Sequence, residues 1–526
     1  MGILPSAVSA FKLRPRNDYR ICQDWSDAEL ADAAQALPMP LPLYDKMKRQ
    51  QKITAVLAAK DRRLAIYNDM GTGKTLVVYS LIHYFAQLDG ARRFLVGVPN
   101  RTNKDEWLSE GLKWFQGTRV VKMASSLAEK VKQLEDASEE LTIFIDTFAG
   151  ITRLCTAKVL NSPPKFGKKA AKGNHLVVDS KVIAALANSI DGVVADESSF
   201  LGNHDSLQTK IFDAFSKHER MIMYLLSGTP FGKDPTTLQP QIKMIDRGYT
   251  LGPTLGMFRE VFFTTKQGYW SRFEYKFKKT MMATLNRYLA HCSVRFVLDK
   301  SELPATTRKK LMITLPADAA SYYARAKEVL KKAAMSGEIN ETNGAFNALR
   351  AISSGFLPTT LDDGSRAVID FKENPKLDAL MDQLLMIGDY KCIVFHFFRH
   401  SGNILSAALK KKKIGHVLIN GGTKNITEQR QKYMTDPSCK VMLLSADAGA
   451  FGLNLQLAKY GFVYESPVPV ITRKQVLRRF IRPHSEYDKV VLVDLVVRGT
   501  VDERILEFHK TGADLFKAIL SGGVIL

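Results

Sequence analysis

An α/β fold of two lobes, each a parallel sheet flanked by helices, with helical insertions between them, is what this sequence predicts. Short, wholly apolar runs alternate with amphipathic stretches, the texture of parallel α/β architecture. The runs fall into two groups, and a change of texture separates the groups. In the first half they are "LAIY" (64–67), "FLVGV" (94–98), "TIFID" (142–146), "GVVA" (192–195) and "MIMYLL" (221–226). In the second they are "CIVFHF" (392–397), "HVLIN" (416–420), "VMLLS" (441–445), "GFVYE" (461–465) and "VVLVDLVV" (490–497). Runs apolar throughout suit strands covered on both faces. From about 246 to 374 helical patterns such as "AASYYARAKEVLKKAA" take over. The expected organisation is an N-terminal appendage (1–43), a first lobe (44–245), a mostly helical insertion or linker (246–374) and a second lobe (375–526). Within the appendage, Ser26 to Glu29 reads as a capping box opening a helix that Pro38 should end.

Lys and Arg number 75 against 53 Asp and Glu, giving +22 and a pI near 9.6. Such an excess favours a polyanionic partner, either nucleic acid or an anionic membrane surface. The five cysteines are scattered and form no C-x-x-C pair, which argues against a disulfide framework or a zinc site. No apolar run approaches the ~18 residues of a membrane helix, so a protein without a membrane partner, in a reducing cytoplasm, is expected.

Chemistry is signalled first by "NDMGTGKT" (68–75), between a strand and a helix expected to stop at Gly90. Strand, glycine turn and helix form the context of a phosphate-binding loop. Its glycines turn backbone N–H groups inward, the helix N-terminus adds positive potential, and Lys74 neutralises charge. Met70, Gly71, Thr72, Gly73, Lys74 and Thr75 would line such a loop, with the Thr75 hydroxyl available to Mg²⁺. The strict pattern wants a glycine where Asn68 stands, and an ordinary turn is the competing reading. A second signal is the acidic pair in "GVVADESS". Asp196 would hold Mg²⁺ and Glu197 would orient and deprotonate a water; a solvated acidic turn is the alternative. "SGTP" (227–230) sits at a third strand end, where ligands of open α/β sheets gather.

The order "MGTGKT", "DES", "SGTP", "SADAGAFGLNL" (445–455) and "QVLRRFIR" (475–482) resembles a superfamily 2 helicase-type motor of the Swi/Snf branch of ATP-driven DNA translocases. The resemblance runs from about 44 to 510, and its usual D-E-M-G-x-G-K-T is matched from Asn68–Asp69–Met70–Gly71 onward, removing the objection of the missing glycine. It implies tandem RecA-like lobes with ATP and Mg²⁺ between them. By this resemblance Gln51 contacts adenine, Gly449 and Gly452 bring backbone close to nucleotide and DNA, and Arg479 and Arg482 are arginine fingers. Gln475, Arg479 and Arg482 share one helix face at i, i+4 and i+7, with Pro483 placing Arg482 at the helix end. A basic helix facing DNA is the other reading, a role that Arg473 and Arg478 would fit better. "VPNRTNKDEW" (98–107) resembles the family segment that touches the nucleic-acid backbone. "ALRAISSGFL" (348–357) and "NPKLDAL" (374–380) resemble its interlobe linker. Three departures stand out: Ser199 replaces a histidine that helps couple hydrolysis to movement, Lys233 replaces an asparagine, and "RPHS" (482–485) replaces R-I-G-Q. They bear on coupling and remove no catalytic group.

"GYWSRFEYKFKK" (268–279) interleaves aromatics and cations; it could stack bases, or form a β-hairpin with one packed face. "PKFGKKAAKG" (164–173) suits phosphates or a solvated loop, whereas "LKKKK" (409–413) reads as a helix end. The expected function is an ATP-dependent, sequence-independent duplex DNA translocase, a monomeric motor that displaces proteins, remodels complexes or reanneals strands. A strand-separating DNA or RNA helicase and a non-catalytic nucleic-acid-binding scaffold are the alternatives. Brevity relative to the family, with no added chromatin-reading module visible, points to a compact prokaryotic or viral form, cytoplasmic or in the host cytoplasm.

Overall fold

The computed structural model describes residues 25–526 except 137, 161–173, 232–234, 267–273, 299, 337, 361–364, 424, 447–454, 484, 512–514, 516–518 and 520–526. The chain divides into two compact units, Met1–Leu298 and Asp299–Leu526.

The first unit is built on a seven-stranded sheet. Its strands are β1 (Arg63–Ile66), β2 (Arg93–Val98), β3 (Arg119–Lys122), β4 (Thr142–Thr147), β5 (Gly192–Asp196), β6 (Ile222–Leu226) and β7 (Ser293–Val294). The order is β7-β1-β6-β5-β2-β4-β3, and every pairing is parallel. Alternation along the strands fills two cores. Ala65, Leu95, Phe144, Ala195 and Leu225 enter one, while Leu64, Ile66, Val96, Ile145, Val194 and Leu226 enter the other. Burial on both faces is the reason these segments read as unbroken apolar runs. Register then does the positioning: Leu226 stands opposite both Ile66 and Asp196. The chain therefore leaves β1, β6 and β5 at one level, on one edge of the sheet.

The second unit carries a six-stranded sheet of β8 (Ala305–Ile313), β9 (Cys392–His396), β10 (Gly415–Ile419), β11 (Cys439–Ser445), β12 (Tyr460–Val463) and β13 (Lys489–Val497). Its order is β8-β13-β12-β9-β11-β10, again parallel throughout. All ten apolar runs lie in sheet strands. Three strands of these two sheets carry no such run: β3 and β8 are edges, half-exposed and charged, and β7 has two residues. In β8 the exposed Arg308, Lys309 and Lys310 line an open edge, and charge there blocks pairing with another chain.

The stretch 246–374, expected to be a helical insertion, is instead divided between the units. Phe258, Phe262, Leu285 and Tyr288 complete the first unit's core, and β7 extends its sheet. Beyond it, β8 extends the second sheet, and Leu330, Phe346 and Leu349 of the helix pair Ala317–Ser336 and Ile339–Ile352 pack on Val501 and Ile505. Amphipathic helices without a core of their own must bury their apolar faces on a neighbour. The helix Asp27–Gln35 opens on the expected capping box, Glu29 N–H donating to Ser26 Oγ at 3.2 Å and Ser26 N–H to Glu29 Oε2 at 2.6 Å. Among the described residues no helix is long and apolar enough to cross a membrane.

Candidate active site

Between β1 and the helix Lys74–Leu88 the chain makes a tight loop. Gly71 and Gly73 adopt left-handed φ values of 84° and 74°. Gly73 is the N-cap and brings no side chain to that end, so the first-turn N–H groups are left to an external acceptor. Lys74 Nζ donates to Asn68 O at 2.9 Å and Asp69 O at 3.1 Å, which draws the ammonium back over the loop. Thr72 Oγ1 donates to Asp69 O at 2.7 Å. Asn68 acts as a brace, with Nδ2 donating to Thr54 Oγ1 at 2.9 Å and Oδ1 accepting Phe296 N–H at 2.8 Å. That clamp holds the loop's first residue to the preceding helix and to the segment after β7.

Gln51, buried on the helix Arg49–Lys60, donates Nε2–H to Gly73 O at 3.2 Å while its Oε1 accepts Lys48 N–H at 2.7 Å. A Cβ on Gly73 would lie 2.2 Å from Gln51 Nε2. Gly73→Ala is thus expected to displace Gln51 as well as strain the backbone. Isothermal titration with ADP should show at least a tenfold loss of affinity, about 1.4 kcal/mol.

At the end of β5, Asp196 Oδ1 accepts Glu197 N–H at 3.0 Å and Oδ2 accepts the indole N–H of Trp107 at 2.9 Å. Glu197 is buried and has φ of +56°, an uncommon conformation for a residue with a side chain. Ser227 Oγ, at the end of β6, donates to Glu197 Oε2 at 3.4 Å. A Cβ on Gly228 would meet Met70 Cγ at 2.7 Å, so the third loop lies directly on the first. Behind them Gln241 accepts the Ser198 hydroxyl at 2.8 Å and donates to Pro230 O at 3.0 Å and Thr237 O at 2.8 Å. The structure therefore brings Lys74, Thr75, Asp196 and Glu197 to one edge of one sheet. Thr54, Trp107 and Gln241, which brace this edge, were not singled out by sequence; only Trp107 lay within a quoted motif.

In the second unit the helix Val470–Phe480 buries Gln475 and Arg479, and Arg482 follows two residues past its end. Arg479 Nε, though buried, meets no hydrogen-bond partner among the described residues. Arg473 corrects the expectation of a DNA-facing residue. It is buried, and its Nη2 bonds both oxygens of Asp494 at 2.7 and 2.8 Å while Nη1 donates to Ser466 Oγ at 2.8 Å. Asp494, which interrupts the apolar run of β13, is there to pair with it. Arg350, within the 348–357 segment, lies 4.0 Å above the Phe397 ring and donates to Ser466 O at 3.0 Å. Lys376 forms a buried pair with Asp502 at 2.7 Å. Gly449, Gly452 and Lys233 lie outside the described residues, as do all of 164–173 and the first half, 268–273, of 268–279. The described flanks of the latter form an antiparallel hairpin, Phe263–Lys266 with Glu274–Phe277. There Tyr275 is covered by Arg259, 4.3 Å from its ring centre.

Tandem parallel sheets with such a loop edge define a chain of two RecA-like lobes. Residues 49–354 match the SNF2-related domain and 375–484 the helicase conserved C-terminal domain. The chain belongs to the SNF2-related family. It is similar to the chromatin-remodeling ATPase INO80 of Schizosaccharomyces pombe, 26% identical over 161 residues, 30% of this chain and 10% of that protein. It is similar too to the DNA repair protein RAD5 of Cryptococcus neoformans, 27% identical over 164 residues, 30% of this chain and 13% of the other. The chain thus spans about a tenth of the length of these relatives. Among solved structures, the Sulfolobus solfataricus SWI2/SNF2 ATPase core in complex with dsDNA aligns over 93% of this chain and 95% of its own, at 18% identity and a TM-score of 0.39.

Proposed function

We propose that this chain is an ATP-driven motor that moves along duplex DNA without sequence specificity and thereby displaces proteins, remodels complexes or reanneals strands. The observation that supports it most directly is the common level at which β1, β6 and β5 deliver the glycine loop, Ser227 and the Asp196–Glu197 pair. The glycine cradle, from Met70 through Gly73, and the uncapped helix start fit a triphosphate. Thr75 and Asp196 supply the oxygen donors a hard cation prefers. Mg²⁺, when bound with ATP, would neutralise phosphate charge during transfer. Lys74 adds a cation to the phosphates, and Glu197 orients the attacking water and takes its proton. Gln51 contacts the adenine, the role the resemblance implies for it. Arg479 and Arg482 stabilise the charge that develops during transfer. The +22 net charge supports a polyanionic track, and the relatives named as a chromatin-remodeling ATPase and a DNA repair protein support DNA. Contacts with backbone phosphates carry no sequence information, hence the lack of specificity.

The test is steady-state ATP hydrolysis without nucleic acid and with single-stranded DNA, duplex DNA or RNA. Duplex DNA should stimulate most, and Glu197→Gln should remove ~10²–10⁴-fold of the rate, the usual contribution of a positioned base. Stimulation by single strands or RNA alone would move the reading to a strand-separating helicase. Hydrolysis insensitive to Glu197→Gln on every track would leave a nucleic-acid-binding scaffold.

A further inference from the structure

Trp107 lies on the helix Arg101–Trp114 that follows β2, and it is 1% exposed. Its indole Nε1–H points at Asp196 Oδ2 from 2.9 Å, and the other carboxylate oxygen accepts Glu197 N–H at 3.0 Å. Two donors, one on each oxygen, fix the plane of that carboxylate. The indole is itself held. Tyr79, on the helix that Lys74 begins, donates its hydroxyl to Trp107 O at 2.6 Å, and the two rings lie 5.4 Å apart. One turn earlier, buried Lys104 donates to Met123 O at 2.6 Å and Asp146 Oδ1 at 3.1 Å, seating the same helix on the end of β4.

We propose that Trp107 is a positioning residue for the divalent cation: its indole N–H orients the Asp196 carboxylate for metal binding. The proposal rests on the reading above, in which Asp196 holds the cation. An indole nitrogen donates and cannot accept, so it engages one lone pair of Oδ2 and turns the carboxylate without competing with it for a cation. Donors behind a ligating carboxylate set its orientation, and their loss typically weakens metal affinity ~10–100-fold. A Trp buried for packing alone also finds a partner for its N–H, and that ordinary role predicts a loss of stability without a selective loss of cation binding.

The experiment titrates Mn²⁺ into the full chain with saturating ADP and follows free Mn²⁺ by electron paramagnetic resonance, so no turnover is needed. Trp107→Phe removes the donor and some packing. Site-specific replacement of Trp107 by benzothienylalanine, whose sulfur takes the place of the N–H, removes the donor and keeps the shape. Tyr79→Phe keeps the indole and loosens its support. The first two are expected to weaken Mn²⁺ binding ~10–100-fold, and Tyr79→Phe, which leaves the donor in place, to weaken it less than either. Mn²⁺ binding by the benzothienylalanine protein indistinguishable from that of the unmodified chain would overturn the proposal alone. Absence of ADP-dependent Mn²⁺ binding in the unmodified chain would overturn the nucleotide-site reading and this proposal with it.

Discussion

Arg479→Ala should lower DNA-stimulated ATP hydrolysis ~10³-fold or more while ADP affinity stays near that of the unmodified chain. Arginine fingers act on charge that appears in the transition state, and such groups are worth ~10³–10⁵ in rate. Binding should persist because the glycine loop and Lys74 belong to the other unit, split from Arg479 at residue 298. A buried polar atom without a partner calls for an explanation, and Arg479 Nε is such an atom among the described residues. Its neighbour on the helix, Arg473, shows what a structural arginine looks like here, with three hydrogen bonds and a paired carboxylate. Arg479→Lys should recover little, since an ammonium cannot reproduce a planar, forked donor. Single-turnover kinetics beside a binding titration separate the two quantities. Equal loss of both would make Arg479 a residue of the fold; loss of neither would remove it from the reaction.

The legible parts of this chain were those where one physical demand dominates the residue choice. Strands buried on both faces had to be apolar throughout, and each of the ten runs lies in a sheet strand. The glycine loop showed because Gly71 and Gly73 occupy a backbone region that side chains disfavour. Edge strands were not legible. β8 is exposed along most of its length and carries "RKK", and its pairing with β13 comes from tertiary contact rather than from pattern. Braces were illegible for a different reason. Asn68 with Thr54, and Gln241 with Ser198, are pairs of ordinary polar residues 14 and 43 positions apart, and nothing local marks either partner. Arg473 misled because a helix rich in arginines presents several faces, and only the position of Asp494 shows which cation turns inward.

Asp146→Asn should cost the first unit about 3–5 kcal/mol, the usual penalty for breaking a buried ion pair from one side. Asp146, next to last in β4, is nearly inaccessible and is shared by two buried cations. Lys104 Nζ donates to Oδ1 at 3.1 Å and Lys130 Nζ to Oδ2. Asparagine keeps an oxygen for Thr147 N–H, which now donates to Oδ1 at 2.8 Å, so the principal change is charge. Burial already pulls the Lys104 ammonium below its ordinary pKa, and Asp146 works against that pull. Without the carboxylate the folded-state value falls further, while the unfolded chain keeps about 10.4. Between those two values the unfolded state binds more protons, so the variant's stability must rise with pH. The deficit against the unmodified chain should therefore be full near neutral pH and shrink as pH climbs toward about 10. Urea unfolding followed by tryptophan fluorescence reads this unit alone, because all four tryptophans, at 25, 107, 114 and 270, precede residue 298. A deficit of the same size at every pH would locate the damage in hydrogen-bond geometry rather than in stranded charge. Against a typical domain stability of about 5–15 kcal/mol, the expected loss is large enough to unseat the helix that carries Lys104 and Trp107. Nucleotide-site defects in this variant should then be rescued in part by raising the pH.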